Sequence, residues 1–338
     1  MVHWAFSTIL GHPTVTDDVV RHHQEGFPRF HDLCEGLKNS AEFAVSYGPR
    51  SGKILLGAAE LGLLAEMAIV PPAPGPGFYM DFLGVRTRLS FQPGGHDWLD
   101  GRLLPVPTSG VIQYHDAQEW GGTLRAAIDA RPTGRFVVYE LGAGWGPWVG
   151  AAARLAQRLG LEPSLVAVEA DAGHLGFIRT LFEDNALPLE SCRLIQAAVG
   201  AADGTAWFPI LADPASHYGL AASFDGAGGP GMAEVPSLSL ATLLRDETRV
   251  DLIHCDIQGA EDETMAAAID VLTAKVRRIV IGTHGRGIEE RLFYLFTGAG
   301  WLLEDDKACR MIPTYRPGDP YSLQADGVQV WLNRNPAL

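Results

Sequence analysis

Phe136-Val137-Val138-Tyr139-Glu140-Leu141 runs directly into Gly142-Ala143-Gly144-Trp145-Gly146-Pro147-Trp148. The first half is a short apolar strand. The second is a glycine turn, followed by an Ala-rich helical run to Leu159. Gly142, Gly144 and Gly146 let the backbone turn sharply and come close to a ligand without Cβ clashes. Pro147 suits the first helical position, where its missing N–H costs nothing. Strand, glycine turn and helix together aim a helix N-terminus at whatever the turn cradles. A purely structural turn is spelled the same way, so its neighbours must decide.

Two acids flank the turn. Glu140 precedes Gly142 by two positions, where it can accept hydrogen bonds from a cationic amine. Glu169 ends the next strand, Leu165-Val166-Ala167-Val168, where a carboxylate can take both hydroxyls of a ribose. A dinucleotide site wants G-x-G-x-x-G, which brings the helix dipole to a pyrophosphate. Here the spacing is G-x-G-x-G, and Glu140 would repel phosphates. S-adenosylmethionine has a ribose and an amino-acid end but no pyrophosphate, so it is the expected cofactor. A nicotinamide-dependent oxidoreductase is the competing class on the same kind of sheet.

Outward from this stretch the rhythm is regular. A helix is expected at about 174–185 and a third strand at Arg193 to Ala198, with Ala198 placed among the cofactor-binding positions. Trp207 to Ile210 is a further short strand, and residues 211–233 form a long Gly/Ala/Asp/Pro-rich loop. Loops of that length are usually functional, which puts His217 and Tyr218 at the substrate entrance. Val250 to Cys255 is a strand, 261–273 a helix, Arg278 to Ile281 a strand and 287–298 a helix. Strands alternating with helices imply an α/β fold, a parallel sheet covered on both faces. Trp301-Leu302-Leu303 and Val328 to Leu332 have no helix between them and predict a terminal antiparallel hairpin.

Upstream, residues 14–70 read as helical, with Thr16-Asp17-Asp18 as a start. Pro71 to Gly77 is a Pro/Gly linker. Residues 78–134 are mixed, with a helix from Asp116 to Ala130. The expected division is an accessory region at 1–134 and a catalytic domain at 135–338. The accessory region completes the acceptor pocket, covers it, or joins a second copy of the chain.

A second motif follows the strand 250–255: Asp256-Ile257-Gln258-Gly259-Ala260-Glu261. Asp256 sits at a strand's carboxyl end, the edge where open α/β sheets bind ligands. Together with Glu-x-Gly-x-Gly-x-Gly and Val168-Glu169-Ala170-Asp171, it resembles the FkbM family of S-adenosylmethionine-dependent methyltransferases. Thr283-His284 and Gly300-Trp301 resemble further family segments. The resemblance covers about 135–335. The family motif has Glu where this chain has Gln258, and an acid where it has Ala241. The resemblance implies a class I methyltransferase (Rossmann-like) fold, with seven strands and a reversed final hairpin. It also implies methyl transfer, usually to oxygen, often on sugars, glycans or natural products. The two departures keep a third class open, a cofactor-binding but catalytically silent partner subunit.

Methyl transfer to a hydroxyl is helped by a group that takes its proton. His284, after a strand end in Gly282-Thr283-His284-Gly285, is the expected base. Asp256 is the alternative base or an orienting partner, and also contacts the cofactor. Both also fit plain capping roles. Glu140, Gly142, Gly144, Trp145, Gly146, Glu169, Ala198 and Asp256 make the expected cofactor set. His217, Tyr218, Gln258 and Glu261 make the acceptor set. Trp145 and Trp148 can stack on adenine or pack the helix. Arg86 and Arg88 can hold an anion or serve structure. Asp256, Glu261 and His284 have metal-ligand chemistry, but such trios more often serve hydrogen bonding, and no metal is assigned. His22, His23 and His31 are given no site.

Composition agrees with a soluble enzyme. Acids outnumber bases 40 to 26, for a net charge of -14, which argues against nucleic acid and anionic membranes as partners. Cys34, Cys192, Cys255 and Cys309 are too far apart for a CxxC pair and read as reduced thiols of a cytoplasmic protein. No secretory signal or membrane span is expected. The expected partner is a small-molecule or glycan acceptor.

Overall fold

The strand that opens the glycine turn is the middle of a seven-stranded sheet. The computed structural model describes residues 56–67, 73–92, 94, 96–106, 115–226, 228–316, 319–335 and 337–338. The expected helix start at Thr16, the three early histidines, Cys34 and Pro71-Pro72 lie outside them. The chain divides into two compact units, split between Ile128 and Asp129.

In the first unit, helix α1 (Ala58–Glu66) carries Glu60, whose carboxylate pairs with Arg125 at 2.9 Å. A short hairpin joins β1 (Phe78–Met80) to β2 (Arg86–Arg88), with Phe78 opposite Arg88. Arg86 and Arg88 lie over the Phe78 ring, their guanidinium carbons 4.2 and 5.8 Å from its centroid. A guanidinium over an aromatic face is a cation–π contact, one structural use for these arginines. Helix α2 (Ala117–Ala130) runs across the division of the chain.

The second unit begins with β3 (Arg135–Leu141), helix α3 (Pro147–Leu159), β4 (Glu162–Glu169), helix α4 (Ala172–Asp184) and β5 (Cys192–Gln196). Gly160, in the left-handed region at φ 66°, ends α3 as a C-terminal glycine should. Asp171 caps α4 by accepting from the His174 amide. β6 (Ala198–Gly200), β7 (Gly204–Pro209) and β8 (Met232–Ser239) follow, then a short helix α5 (Leu240–Leu243). The chain re-enters the sheet as β9 (Leu252–Cys255), helix α6 (Glu261–Lys275), β10 (Arg278–Thr283), helix α7 (Arg286–Gly298) and β11 (Leu302–Lys307). It ends with β12 (Arg310–Arg316), β13 (Asp319–Ala325) and β14 (Gly327–Leu332).

The sheet order is β11-β14-β10-β9-β3-β4-β5. β3 pairs in parallel with β4 (Val138 beside Leu165) and with β9 (Val138 beside Leu252). β14 runs antiparallel to both β10 and β11. This is the class I methyltransferase arrangement with its reversed hairpin, as the sequence led one to expect. Tyr139, Leu141, Ile253, Cys255, Ile279 and Ile281 are all fully buried and belong to one apolar core. Runs buried on both faces are what a helix-covered parallel sheet requires.

Two expectations are corrected. The strand read at 193–198 is two strands. After Gln196 the Ala197 amide bonds to the Glu169 carbonyl (3.0 Å), and the chain leaves the sheet. Ala198 then opens β6 in a separate three-stranded sheet, β6-β8-β7. The terminal hairpin is also longer than its two apolar runs suggested. β12 and β13 pair as an antiparallel arm between β11 and β14, with Ile312 opposite Ser322. Cys192, Cys255 and Cys309 are free and buried. Among the described residues no helix is long and apolar enough to cross a membrane.

Candidate functional site

From β3 the chain winds through β4 to β5 on one side, then returns to β9 on the other. The crevice where the two directions part lies beyond Leu141 and Cys255, the point at which such sheets bind ligands. The two motifs meet there. The Asp256 amide donates to the Leu141 carbonyl (2.9 Å). Gly142 has φ 72°, and a Cβ on it would overlap the Asp256 carbonyl oxygen. Gly142 is therefore a packing glycine that locks the second motif against the first.

Gly144 is the one that leaves room. It has φ 53°, and a Cβ there would meet only the Tyr218 ring, at 3.2 Å. Its amide donates to Glu169 Oε2 (2.8 Å), while Glu169 Oε1 accepts from the Asp171 amide (2.8 Å). A carboxylate has about four acceptor positions; with the two amides and His174 Nδ1 at 3.5 Å from Oε1, Glu169 keeps capacity for one ribose hydroxyl on Oε2. Gly146, at φ 79°, packs against Ile178 and starts α3.

Glu140 differs from its sequence expectation. It is buried, and its two oxygens accept from the Trp148 and Val149 amides (3.1 and 2.7 Å). It therefore caps the N-terminus of α3 and does not reach out to a ligand amine. Burial pushes its carboxyl up to about 8, against the pull of those two amides, with the Glu169 and Asp256 charges adding to the rise. The folded chain thus holds this proton more tightly than the unfolded chain. Stability from this group is complete below about pH 4.5, falls progressively between there and pH 8, and is gone above. The total is on the order of a few kcal/mol. Urea denaturation at pH 6 and pH 9 should show this loss in the native chain, and Glu140→Gln should flatten it.

Trp148 stacks on His254 (centroids 4.6 Å apart, planes at 21°) and is buried, so it packs the helix. Trp145 meets Tyr218 edge-on at 4.8 Å. Tyr218 also stacks flat on His174 at 4.5 Å, and His174 Nε2 lies 2.8 Å from the Pro214 carbonyl. His174 Nδ1 is 3.5 Å from Glu169 Oε1. Burial alone would lower the His174 pKa, but Glu169 and the Pro214 carbonyl raise it on balance. The long loop is thus held over the glycine turn through Tyr218. His217 beside it is exposed, its Nδ1 accepting from the Gly219 amide. Ala198 packs with Ala206, Phe208 and Val235 in a small apolar cluster.

The second motif builds a chain of polar side chains. Glu261 is fully buried; its two oxygens lie 2.9 and 3.1 Å from the Gly259 amide, and Oε1 lies 2.8 Å from His284 Nδ1. Burial removes Glu261 from any direct contact with an acceptor. On its other side His284 turns Nε2 toward Asp256 Oδ1 at 3.3 Å and Asp326 Oδ1 at 3.9 Å. Gln258, at φ 57°, donates from Nε2 to Asp256 Oδ1 (2.8 Å). Desolvation would lower the His284 pKa, yet the two carboxylates, Asp256 and Glu261, carry it up to about 10. Both ring nitrogens face carboxylates and the side chain is only 7% exposed, so His284 is placed to orient Asp256 rather than to serve as the expected base. Asp256 feels the reverse: desolvation raises it, but His284, His254 and Gln258 outweigh this and hold it low. Its side chain is 38% exposed, so it is the member of this trio open to an acceptor.

Sequence reasoning missed His174 and Asp326. Nothing in the sequence singles out His174. Asp326-Gly327, a turn dipeptide directly before the last strand, was available as a signal. It places Asp326 beside His284, because Gly327 pairs with Thr283.

No family model matches the chain. A protein of Jannaschia sp. (strain CCS1) named "Putative methyltransferase" is 30% identical over 272 residues, spanning 78% of this chain and 94% of that protein. Among solved structures, the precorrin-6y C5,15-methyltransferase of Geobacter metallireducens GS-15 aligns with a TM-score of 0.35 and 12% identity, over 66% of this chain and 92% of that one. The C-terminal domain of the Rhodobacter capsulatus precorrin-6Y C5,15-methyltransferase aligns at 0.34 and 15%, over 66% and 90%.

Proposed function

The chain belongs to the methyltransferase family of its Jannaschia relative, and on that premise we propose that it moves a methyl group from S-adenosylmethionine to a hydroxyl of a sugar, glycan or natural-product acceptor. The observation that carries this is the meeting, at one crevice, of a glycine turn, an acid at the end of β4 and a half-open aspartate just beyond β9.

The residues fit the cofactor. Gly144 carries no Cβ to press on the Tyr218 ring that covers it, and Glu169 Oε2 keeps acceptor capacity for a ribose hydroxyl. The half-buried Tyr218, braced by Trp145, offers aromatic surface for adenine. When bound, S-adenosylmethionine supplies a methyl group on a cationic sulfur. The chain's own part is to hold donor and acceptor in line, where much of the rate comes from. Asp256 receives the acceptor's hydroxyl as a hydrogen-bond acceptor. His284 and Gln258 fix its carboxylate from behind, and Glu261 fixes His284.

The FkbM reading rests on the motif Asp256 to Glu261. Its one departure is compatible with activity: Gln258 donates a hydrogen bond to Asp256, where a glutamate would repel it. The test is transfer of a tritiated methyl group from S-adenosylmethionine to panels of glycosides, phenols and amines. Label in base-stable ether products on hydroxyl acceptors is expected. Label on amines alone would overturn the oxygen assignment.

A further inference from the structure

Behind Asp256, the ring nitrogen His284 Nε2 is buried and makes no hydrogen bond. The His284 side chain is only 7% exposed. Its other nitrogen, Nδ1, is committed to Glu261 at 2.8 Å. That contact fixes the ring plane and leaves Nε2 directed at two carboxylate oxygens, Asp256 Oδ1 (3.3 Å) and Asp326 Oδ1 (3.9 Å). Asp256, Glu261 and His284 each bring a ligand atom within 4.8 Å of the others.

We propose that His284 Nε2, Asp256 and Asp326 bind a divalent cation of the Mn²⁺ or Mg²⁺ type, with Glu261 orienting the histidine. Ligand atoms on one octahedral cation at about 2.1 Å stand roughly 3 Å apart. The Nε2–Asp256 spacing matches this already, and Asp326, at the base of the β12–β13 arm, needs a small inward movement. One imidazole and two carboxylates mix a borderline nitrogen with hard oxygens and no thiolate, a set that suits Mn²⁺ and takes Mg²⁺ more weakly.

The supporting contacts are those that metal sites use. A ligating histidine usually gives its other N–H to a carboxylate, and ligating carboxylates are themselves hydrogen-bonded. Glu261 supplies the first and Gln258 the second. Glu261 is the orienting group and not a ligand, because it is fully buried and both its oxygens already face the Gly259 amide. Asp256 and Asp326 are 38% and 55% exposed, so solvent and an oxygen-bearing acceptor can reach the remaining positions. This consequence for the acceptor rests on the methyltransferase reading; the ion site itself does not.

The test uses the full chain, stripped with chelator, and Mn²⁺ alone, with free ion read by electron paramagnetic resonance. One Mn²⁺ per chain is expected, displaced by excess Mg²⁺. Asp256→Asn and His284→Gln should each weaken binding at least about tenfold. Asp326→Asn lies in a half-exposed turn, leaves the core untouched, and should also weaken it severalfold. No Mn²⁺ retained at millimolar concentration would overturn the proposal. Retention that Asp256→Asn and Asp326→Asn leave unchanged would do the same. S-adenosylhomocysteine binding is measured in parallel. Mn²⁺ retention without it keeps the ion site and removes the methyltransferase reading, and the reverse result removes only the ion site.

Discussion

Gly142→Ala should lower the melting temperature by about 10 °C or more. Two costs add. At φ 72° an alanine is in the left-handed region, which costs about 1–2 kcal/mol. Its Cβ would also overlap the Asp256 carbonyl oxygen, which is backbone and cannot swing aside. Relief requires β9's end to move away from β3, breaking the Asp256 amide to Leu141 carbonyl bond. The sum is about 4 kcal/mol, a large part of a typical domain's stability. At about 2–4 °C per kcal/mol for a unit of this size, that gives the stated shift. Gly300 is the control. It has φ 82° but nothing within 4 Å of its Cβ position, so Gly300→Ala should cost only the backbone share. Equal, small losses in the two variants would mean that the two motifs are not locked together.

Asp256→Asn should lower methyl transfer at least about a hundredfold while moving the melting temperature by only a few degrees. The side chain is open to solvent, so little packing is lost. What goes is a charge facing His284 and the acceptor. A misplaced acceptor hydroxyl alone costs about a hundredfold. Affinity for S-adenosylhomocysteine should stay within a few-fold, because Glu169 and Gly144 are untouched. Transfer at the native rate in this variant would remove Asp256 from the acceptor site.

The sheet was legible because its strands are buried on both faces and its turns are spelled in glycine. Both motifs lie at the switch point that the strand–helix alternation implied. What the sequence did not disclose was direction. Glu140 looks like a ligand acid, but only the register of β3 with β4 and β9 shows that its carboxylate turns back onto α3. His284 looks like a base, but both its ring nitrogens face carboxylates whose approach is tertiary. Ala198 looks like part of the main sheet, because a bend made by one backbone bond at Ala197 leaves no side-chain signal. Asp326 could not be placed without knowing that the last strand runs backward beside β10.

The central claim is tested most directly by calorimetric titration of the full chain with S-adenosylhomocysteine. One site per chain is predicted, with a dissociation constant in the micromolar range, about −8 kcal/mol. Glu169→Ala should weaken it at least about tenfold. No heat at millimolar ligand, or binding that Glu169→Ala leaves unchanged, would contradict the account.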